Sequence, residues 1–385
     1  MDSAIPKSSY KMIKFDEIFA GELRDRDGLP LATRTEIMPA QKVQIAPVSF
    51  GDTQPPEFAC TEHPAGWNPG LIDIPPVFLY KLRNAVVHGS RGFVTVGDYF
   101  LSDAMRLPVF KTSGLTLEPG GMISIPGNAP DIYVGAAGHL FCGFPANRNY
   151  AHFLVDLIGS ALVPPLNTGY ADTSILMPEL LSRYQFEYAR YFPELTSRAV
   201  FLKEKSKLGC NEISISSFSI NNAHFMPNPY HRDVALFLKD RILQSAQTDA
   251  QLPRKIYISR KDSAIRRLQN EDKIISVAQR YGFTSITLSD LPLETQIRLF
   301  ANATHVIAPH GAGLTNMLFS RPGTVLCELF QNSYVKWSMR YFASLAPVVY
   351  GCVVGKDLNP EQDLGRREWV IDPVRVEYAL ATMPQ

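Results

Sequence analysis

The sequence predicts an α/β protein built around a parallel sheet. Between residues 255 and 329, short apolar runs alternate with segments of helical periodicity. Glycine and proline mark the joins between them. Chains that alternate in this way lay helices against a parallel sheet. Size adds a third observation: 385 residues exceed one ordinary core and suit two domains of about 100–200 residues each.

Residues 1–75 are dotted with proline and predict few long elements. Ala85-Val86-Val87-His88 and Phe93-Val94-Thr95-Val96 flank Gly89-Ser90-Arg91-Gly92, the pattern of two strands joined by a glycine turn. β-like sequence continues through Ile123 and Val134. Residues 149–162 predict a helix, which would put His152 and Asp156 (i and i+4) on one side. Residues 177–193 predict another. Strand character returns from Val200 to about Ile220. Residues 232–247 then carry Val234, Phe237, Leu238, Ile242 and Leu243 at helical spacing.

Gln251-Leu252-Pro253-Arg254 is a polar break and the expected domain boundary. The expected division is an N-terminal domain over 1–250, a C-terminal domain over 251–365 and a terminal helix within 366–385. Past the break come a strand at 255–259, a helix at 270–281 closed by Gly282, and a strand at 285–288. A helix at 293–301, a strand at 304–308, a short helix at 314–319 and a strand at 324–329 complete the pattern.

Composition excludes several classes. With 38 basic and 37 acidic residues, bulk charge gives no basis for nucleic-acid binding. Five scattered cysteines without a CxxC pair argue against a disulfide framework or a zinc knuckle, and a reducing compartment is expected. The N-terminal stretch lacks an apolar core of the signal-peptide kind, and no apolar run reaches the ~20 residues of a membrane-spanning helix. The expected location is cytoplasmic, with any membrane contact peripheral and at the inner face.

Open parallel sheets bind ligands at the carboxyl ends of their strands. Two such ends are chemically loaded. At the first, Ser259-Arg260 follows an apolar strand, and arginine there can fork onto phosphate oxygens. The nearby Arg266-Arg267 pair reads as a solvated basic loop. The second end is Pro309-His310-Gly311-Ala312-Gly313-Leu314-Thr315-Asn316. Its glycines would admit a phosphate close to the backbone, and the helix behind them would aim N–H groups at it. Thr315 and Asn316 could add donors. Alone, such a GxG turn is more often structural. It fits neither GxGxxG, because Met317 stands where the third glycine belongs, nor GxxxxGK[ST]. Glu328, at the next strand end, could accept hydrogen bonds from ribose hydroxyls or could be a plain surface charge. His152 and Asp156 could form a base and its orienting partner or a capped, half-buried histidine. No metal-ligand spacing stands out. An α/β-hydrolase reading of HGAG requires a GxSxG elbow, which the chain lacks.

Taken together, these segments resemble glycosyltransferase family 61. Asn149-Tyr150-Ala151-His152-Phe153 with Asp156 is similar to its N-x-x-H-[FW]-x-x-D segment, although Ala151 replaces a frequent aromatic residue. Tyr257-Ile258-Ser259-Arg260 with Asn270-Glu271, and Leu293 with Gln296, Phe300 and Ala301, resemble the arginine-bearing strand end and the helix before the key strand. Residues 309–316, with Phe319, Pro322-Gly323 and Glu328, resemble the most specific signature. The resemblance implies a GT-B-like fold, with two Rossmann-like domains facing a cleft. It also implies an inverting transferase that needs no cofactor or metal. The partners would be a nucleotide-sugar donor, UDP-linked, and a glycan or polysaccharide acceptor. Donor-binding residues would be Ser259, Arg260, His310, Gly311, Ala312, Gly313, Leu314, Thr315, Asn316 and Glu328. His152 and Asp156 are the candidates for the catalytic base. The C-terminal helix would cross back to the first domain. The alternative is a non-catalytic nucleotide-sugar or glycan-binding protein on the same scaffold.

Overall fold

The structure is a computed structural model that describes residues 7–13, 23–24, 27–59, 67, 70–89, 92–101, 116–119, 122–126, 132–140, 149–158, 173–203, 206–217, 227–244, 251–363 and 366–385. The chain separates into two compact units. The first holds residues 1–41 and 75–224, and the second holds residues 42–74 and 225–385. The second unit thus takes up sequence well before the polar break at 251–254, together with a segment from the N-terminal region.

The first unit is organised by one mixed sheet. Its parallel half runs, side by side, through Ala199–Leu202, Ser174–Pro178, Ile132–Leu140 and Lys207–Ser216. The sheet then turns antiparallel: Lys207–Ser216 pairs with Val77–His88, which pairs with Phe93–Val96 and, off the main path, with Ala32–Met38. The predicted glycine turn joins Val77–His88 to its antiparallel neighbour Phe93–Val96. Gly89 and Gly92 hold φ values of +64° and +69°, which only glycine adopts without strain, and a tight hairpin makes antiparallel neighbours. A purely Rossmann-like sheet is therefore not what this unit contains.

Two predicted helices are corrected. Over 149–162 the chain makes one α-turn, Tyr150–His152, and then the π-helical turn Phe153–Ile158. Residues 159–162 lie outside the described residues. Over 177–193 the first residues end the strand Ser174–Pro178, and the helix is Arg183–Arg190. Gln185 fixes that start, its Oε1 accepting from the N–H groups of Leu181 at 2.6 Å and Ser182 at 2.8 Å. Residues 1–75 hold more regular structure than expected, including the strands Lys7–Ile13 and Ala32–Met38. Short strands without clean alternation leave little trace in a sequence.

The second unit follows its prediction closely. The helices of the second unit and the strands of its main sheet are β1 (Val48–Gly51), α1 (Pro229–Gln244), β2 (Lys255–Ser259), α2 (Glu271–Arg280), β3 (Thr284–Thr287), α3 (Leu293–Asn302), β4 (His305–Pro309), β5 (Val325–Phe330), α4 (Ser338–Ser344), β6 (Val349–Val354) and α5 (Pro373–Thr382). All six strands are parallel, in the order β3-β2-β4-β5-β6-β1. The five strands after residue 250 thus stand second, first, third, fourth, fifth. That order reverses direction between β2 and β4, the place where such sheets open a crevice at their carboxyl edge. Every residue of β4 and β5 is buried, as befits strands covered on both faces.

The early segment closes the sheet. Asp52, just after β1, accepts both 2.6 Å bonds of Arg375 on α5. Arg340, with no exposed surface, donates to the carbonyls of Ala46 at 2.8 Å and Trp67 at 3.2 Å. The terminal helix α5 packs against α2, β1 and β6 of its own unit. Within that packing Val376, Ala379 and Leu380 are buried. Among the described residues, no helix is long and apolar enough to cross a membrane.

Gly51 has φ +73°, and a Cβ there would fall 3.1 Å from the Cys352 carbonyl carbon and closer still to its oxygen. Gly51→Ala is therefore expected to destabilise the second unit by roughly 1–3 kcal/mol, from a strained backbone before any clash is counted. Chemical denaturation with a fold-specific probe would check this.

Candidate functional site

The carboxyl ends of β2 and β4 meet at the point of reversal, and the residues predicted there come together. Arg260 follows β2 directly. Its Nη1 donates to the main-chain carbonyl of His310, which follows β4. Its Nη2 donates to Ser263 Oγ at 2.8 Å. Its backbone N–H is taken by Glu271 Oε1 at 2.9 Å, so α2 fixes where the arginine leaves the strand. Nε has no hydrogen-bond partner among the described residues. Burial, and then the neighbouring Arg266 charge, lowers the Arg260 pKa to about 10. The guanidinium remains charged at neutral pH, although burial and the Arg266 charge disfavour that state.

Arg266 was assigned to a solvated loop, and the structure moves it into the site. It holds φ +51°, a left-handed conformation that a non-glycine residue rarely adopts. Trp369 enforces it: the indole Nε1 donates to the Arg266 carbonyl at 2.9 Å, and the Trp369 backbone N–H donates to the Arg267 carbonyl at 3.1 Å. The clamp lays the Arg266 guanidinium over the Tyr334 ring, 4.2 Å from its centroid. The His310 ring lies 5.7 Å from the same Tyr334 ring. Arg266 Nε also lacks a hydrogen-bond partner. Strained residues held by surrounding structure cluster at functional sites, and two arginines with unmet donors converge on one strand edge. Tyr334 lies in the loop after β5, and no spacing in the sequence links it to Arg266.

The HGAG loop divides into distinct roles. Gly311 is needed beneath Arg260: a Cβ there would lie 3.0 Å from Cζ of the guanidinium and closer to Nη1. Gly313 is needed for packing, since a Cβ there would lie 2.7 Å from Leu288 Cδ1. The following element, Ala312–Phe319, is a 3₁₀-helix rather than an α-helix. Its start faces the same strand edge, and the first N–H groups of any helix lack partners within it. Leu314, Thr315 and Asn316 turn inward. Thr315 Oγ1 contacts Met339 Sδ at 3.5 Å, and Asn316 Nδ2 donates to Gln296 Oε1 at 3.3 Å, so their side chains brace the loop. Ser259 is likewise buried, its Oγ accepting from the Lys261 N–H at 3.3 Å.

Glu328 is neither a surface charge nor open to a ribose. It has no exposed surface, and both carboxylate oxygens are engaged: Oε1 with His310 Nδ1 at 2.6 Å and Oε2 with the Tyr350 hydroxyl at 2.7 Å. A charged residue in the middle of the apolar run Val325–Phe330 was the available signal that it would be buried and paired. His310 stacks on Phe330, with 5.3 Å between ring centroids and 27° between planes. Its pKa is lowered, by burial first, against the raising effect of Glu328 and with Arg266 and Arg260 lowering it further.

In the first unit, Asn149 caps the turn that carries His152: its Oδ1 accepts from the N–H groups of Ala151 at 3.0 Å and His152 at 3.3 Å. His152 is buried. Tyr150 and Phe153, which flank His152 in the sequence, pack against Tyr184 and Tyr188, with ring centroids 5.2–6.5 Å apart. Asp156 lies in the π-helical turn, and its side chain falls outside the described residues. π-turns recur at functional sites. Among the described residues, no group of three or more His, Cys, Asp or Glu side chains could hold a metal ion.

A strand-edge cation site on an α/β scaffold is shared by many nucleotide-using enzymes, and comparison with known families narrows the class to glycosyltransferases. The matching family is Glycosyltransferase 61, whose model aligns with residues 150–327, and over that segment the chain is similar to it. The segment runs from the turn bearing His152 through Arg260 and the HGAG loop to the strand that carries Glu328. No curated protein matches the chain.

The histidine makes a testable link to stability. Because its folded pKa lies below the unfolded value of about 6.5, the folded state binds fewer protons than the unfolded one in that window. Its contribution is present above pH 6.5 and is lost as pH falls through the folded pKa. In the ligand-free protein, the decline of unfolding free energy from pH 7 to pH 5 should be shallower in His310→Asn than in wild type, as read from denaturation midpoints across pH.

Proposed function

We propose that this glycosyltransferase moves a sugar, with inversion, from a UDP-linked donor to a glycan or polysaccharide acceptor. The observation that carries the reading is the position of Arg260. Its guanidinium is tethered to the His310 carbonyl, lies over Gly311 and has an unmet donor at the point where the sheet reverses. The diphosphate of the donor would bind there, against Arg260, Arg266 and the first N–H groups of the 3₁₀-helix.

The chemistry follows from charge. As the anomeric C–O bond breaks, negative charge collects on the departing diphosphate. Donors already aimed at that place lower the barrier without reorganising. Fixed cations can supply this stabilisation, so the proposal includes no metal. The acceptor hydroxyl attacks the anomeric carbon from the opposite face and gives its proton to His152 or Asp156. The GT-B arrangement is part of the proposal and rests on the family resemblance; cytoplasmic location, with any membrane contact peripheral, is proposed from the scattered cysteines and the sequence's hydropathy pattern.

A thermal-shift screen over UDP-, GDP- and CMP-sugars tests the donor class, since a ligand that binds only the folded state raises its midpoint. UDP-sugars are expected to stabilise the protein; stabilisation by CMP-sugars alone would overturn the UDP assignment. Arg260→Ala should weaken UDP binding in calorimetry and lower the transfer rate by about 10²–10³-fold. Unchanged affinity removes Arg260 from the site. His152→Ala should leave UDP affinity intact and abolish transfer, measured as product formed in an acceptor screen. Surviving transfer assigns the base elsewhere. A protein that binds donor but neither transfers nor hydrolyses it would be the non-catalytic alternative.

A further inference from the structure

The hydrogen bonds beneath His310 fix which of its nitrogens carries a proton. Glu328 accepts from the Tyr350 hydroxyl, and burial holds that hydroxyl's pKa far above its ordinary value, so the proton on that bond stays with tyrosine. A carboxylate accepts and does not donate, so the proton on the 2.6 Å bond to His310 belongs to Nδ1. In a neutral imidazole this leaves Nε2 as a bare acceptor. An acceptor is the wrong group to offer a phosphate oxygen. His310 can hold a diphosphate only if Nε2 gains a proton.

We propose that the diphosphate binds together with one proton, taken from solvent by His310 Nε2, so that an imidazolium donates to a phosphate oxygen while Glu328 and Tyr350 hold its charge from below. The inference rests on the reading of this site as a nucleoside-diphosphate cradle. In the transfer step, the electron pair of the breaking anomeric C–O bond stays with the diphosphate oxygen. The hydrogen bond from Nε2 strengthens as that charge grows.

The neighbours of His310 account for both states. Glu328 on β5 lies beneath the ring, and Tyr350 on β6 lies behind Glu328. Arg340 of α4 stacks 5.0 Å over Tyr350. Arg260 enters from the end of β2, Arg266 from the loop after it, and Tyr334 from the loop after β5. The neutral Phe330 ring covers one face. In the empty site, the two arginines and burial oppose protonation. A bound diphosphate answers both arginines and adds its own negative charge, which turns the balance toward imidazolium.

The test is calorimetry of UDP binding at pH 8 in buffers of different ionisation enthalpy. At that pH the terminal phosphate of UDP, with a pKa of about 6, is already deprotonated, so net uptake belongs to the protein. Wild type is expected to take up roughly one-half to one proton per UDP bound. His310→Gln should still bind UDP, more weakly, with uptake near zero. Glu328→Gln should reduce uptake by removing the counter-charge. Wild-type binding without proton uptake, or equal uptake by His310→Gln, overturns the inference and leaves the diphosphate reading standing. Failure of UDP to bind wild type at all overturns both. If a variant does not fold, wild type alone decides: between pH 8 and pH 9, below the range in which Arg260 titrates, its UDP Kd should weaken by up to about tenfold, and a flat profile refutes the proposal.

Discussion

A carboxylate with no exposed surface sits in the middle of the second unit's parallel sheet, and the site is built outward from it. Removing a charge from water is costly unless its acceptors are filled. Glu328 fills them with Tyr350 and His310, which locks the imidazole in place. The main-chain carbonyl of that same His310 anchors Arg260, and Glu271 fixes the arginine's own backbone. One buried charge thus sets the ring, the ring's backbone sets the guanidinium, and the guanidinium requires glycine at 311. Each link is short and each partner is buried or half-buried, so the geometry exists before any ligand binds. Preorganisation of this kind separates a stabilising site from a merely charged surface.

A second constraint reaches the same edge from far along the chain. Trp369 holds Arg266 in a left-handed conformation and thereby lays its side chain on Tyr334. The cost of that conformation is met by two hydrogen bonds from the clamp. Cationic groups brought this close oppose one another, which is why burial and the Arg266 charge both depress the Arg260 pKa. The Arg266 charge therefore disfavours the charged form of Arg260.

Legibility in the sequence tracked the range of the forces involved. The strands and helices after residue 250 were readable because apolar runs, Gly282 and Pro322-Gly323 are local signals. The positions of Arg260 and His310 directly after strands were readable because the apolar runs end at them. Arg266 was not, since its conformation is set by a tryptophan about a hundred residues away. The ribose role considered for Glu328 failed on register: a strand's position can be read, but not what its side chains meet across the sheet. Thr315 and Asn316 sat in the right motif yet face the core. In the first unit the glycine hairpin was visible, whereas the π-turn at Phe153–Ile158 was not, because no composition rule distinguishes it from an α-helix.

The edge strand Val48–Gly51 has a consequence for how the protein is made. It pairs with Val349–Val354, so its partner leaves the ribosome some three hundred residues later. At about 5–20 residues per second, that is a wait of roughly 15–60 s. During that interval Val48 and Phe50 have no sheet to join, and Arg340 has not yet arrived to bind the Ala46 and Trp67 carbonyls. An apolar strand left open for so long is a template for the wrong partner. Shortened fragments that omit residues 42–74 would leave β6 as a bare edge, and the yield of correctly folded chains in the cell should depend on chaperones that shield the early segment.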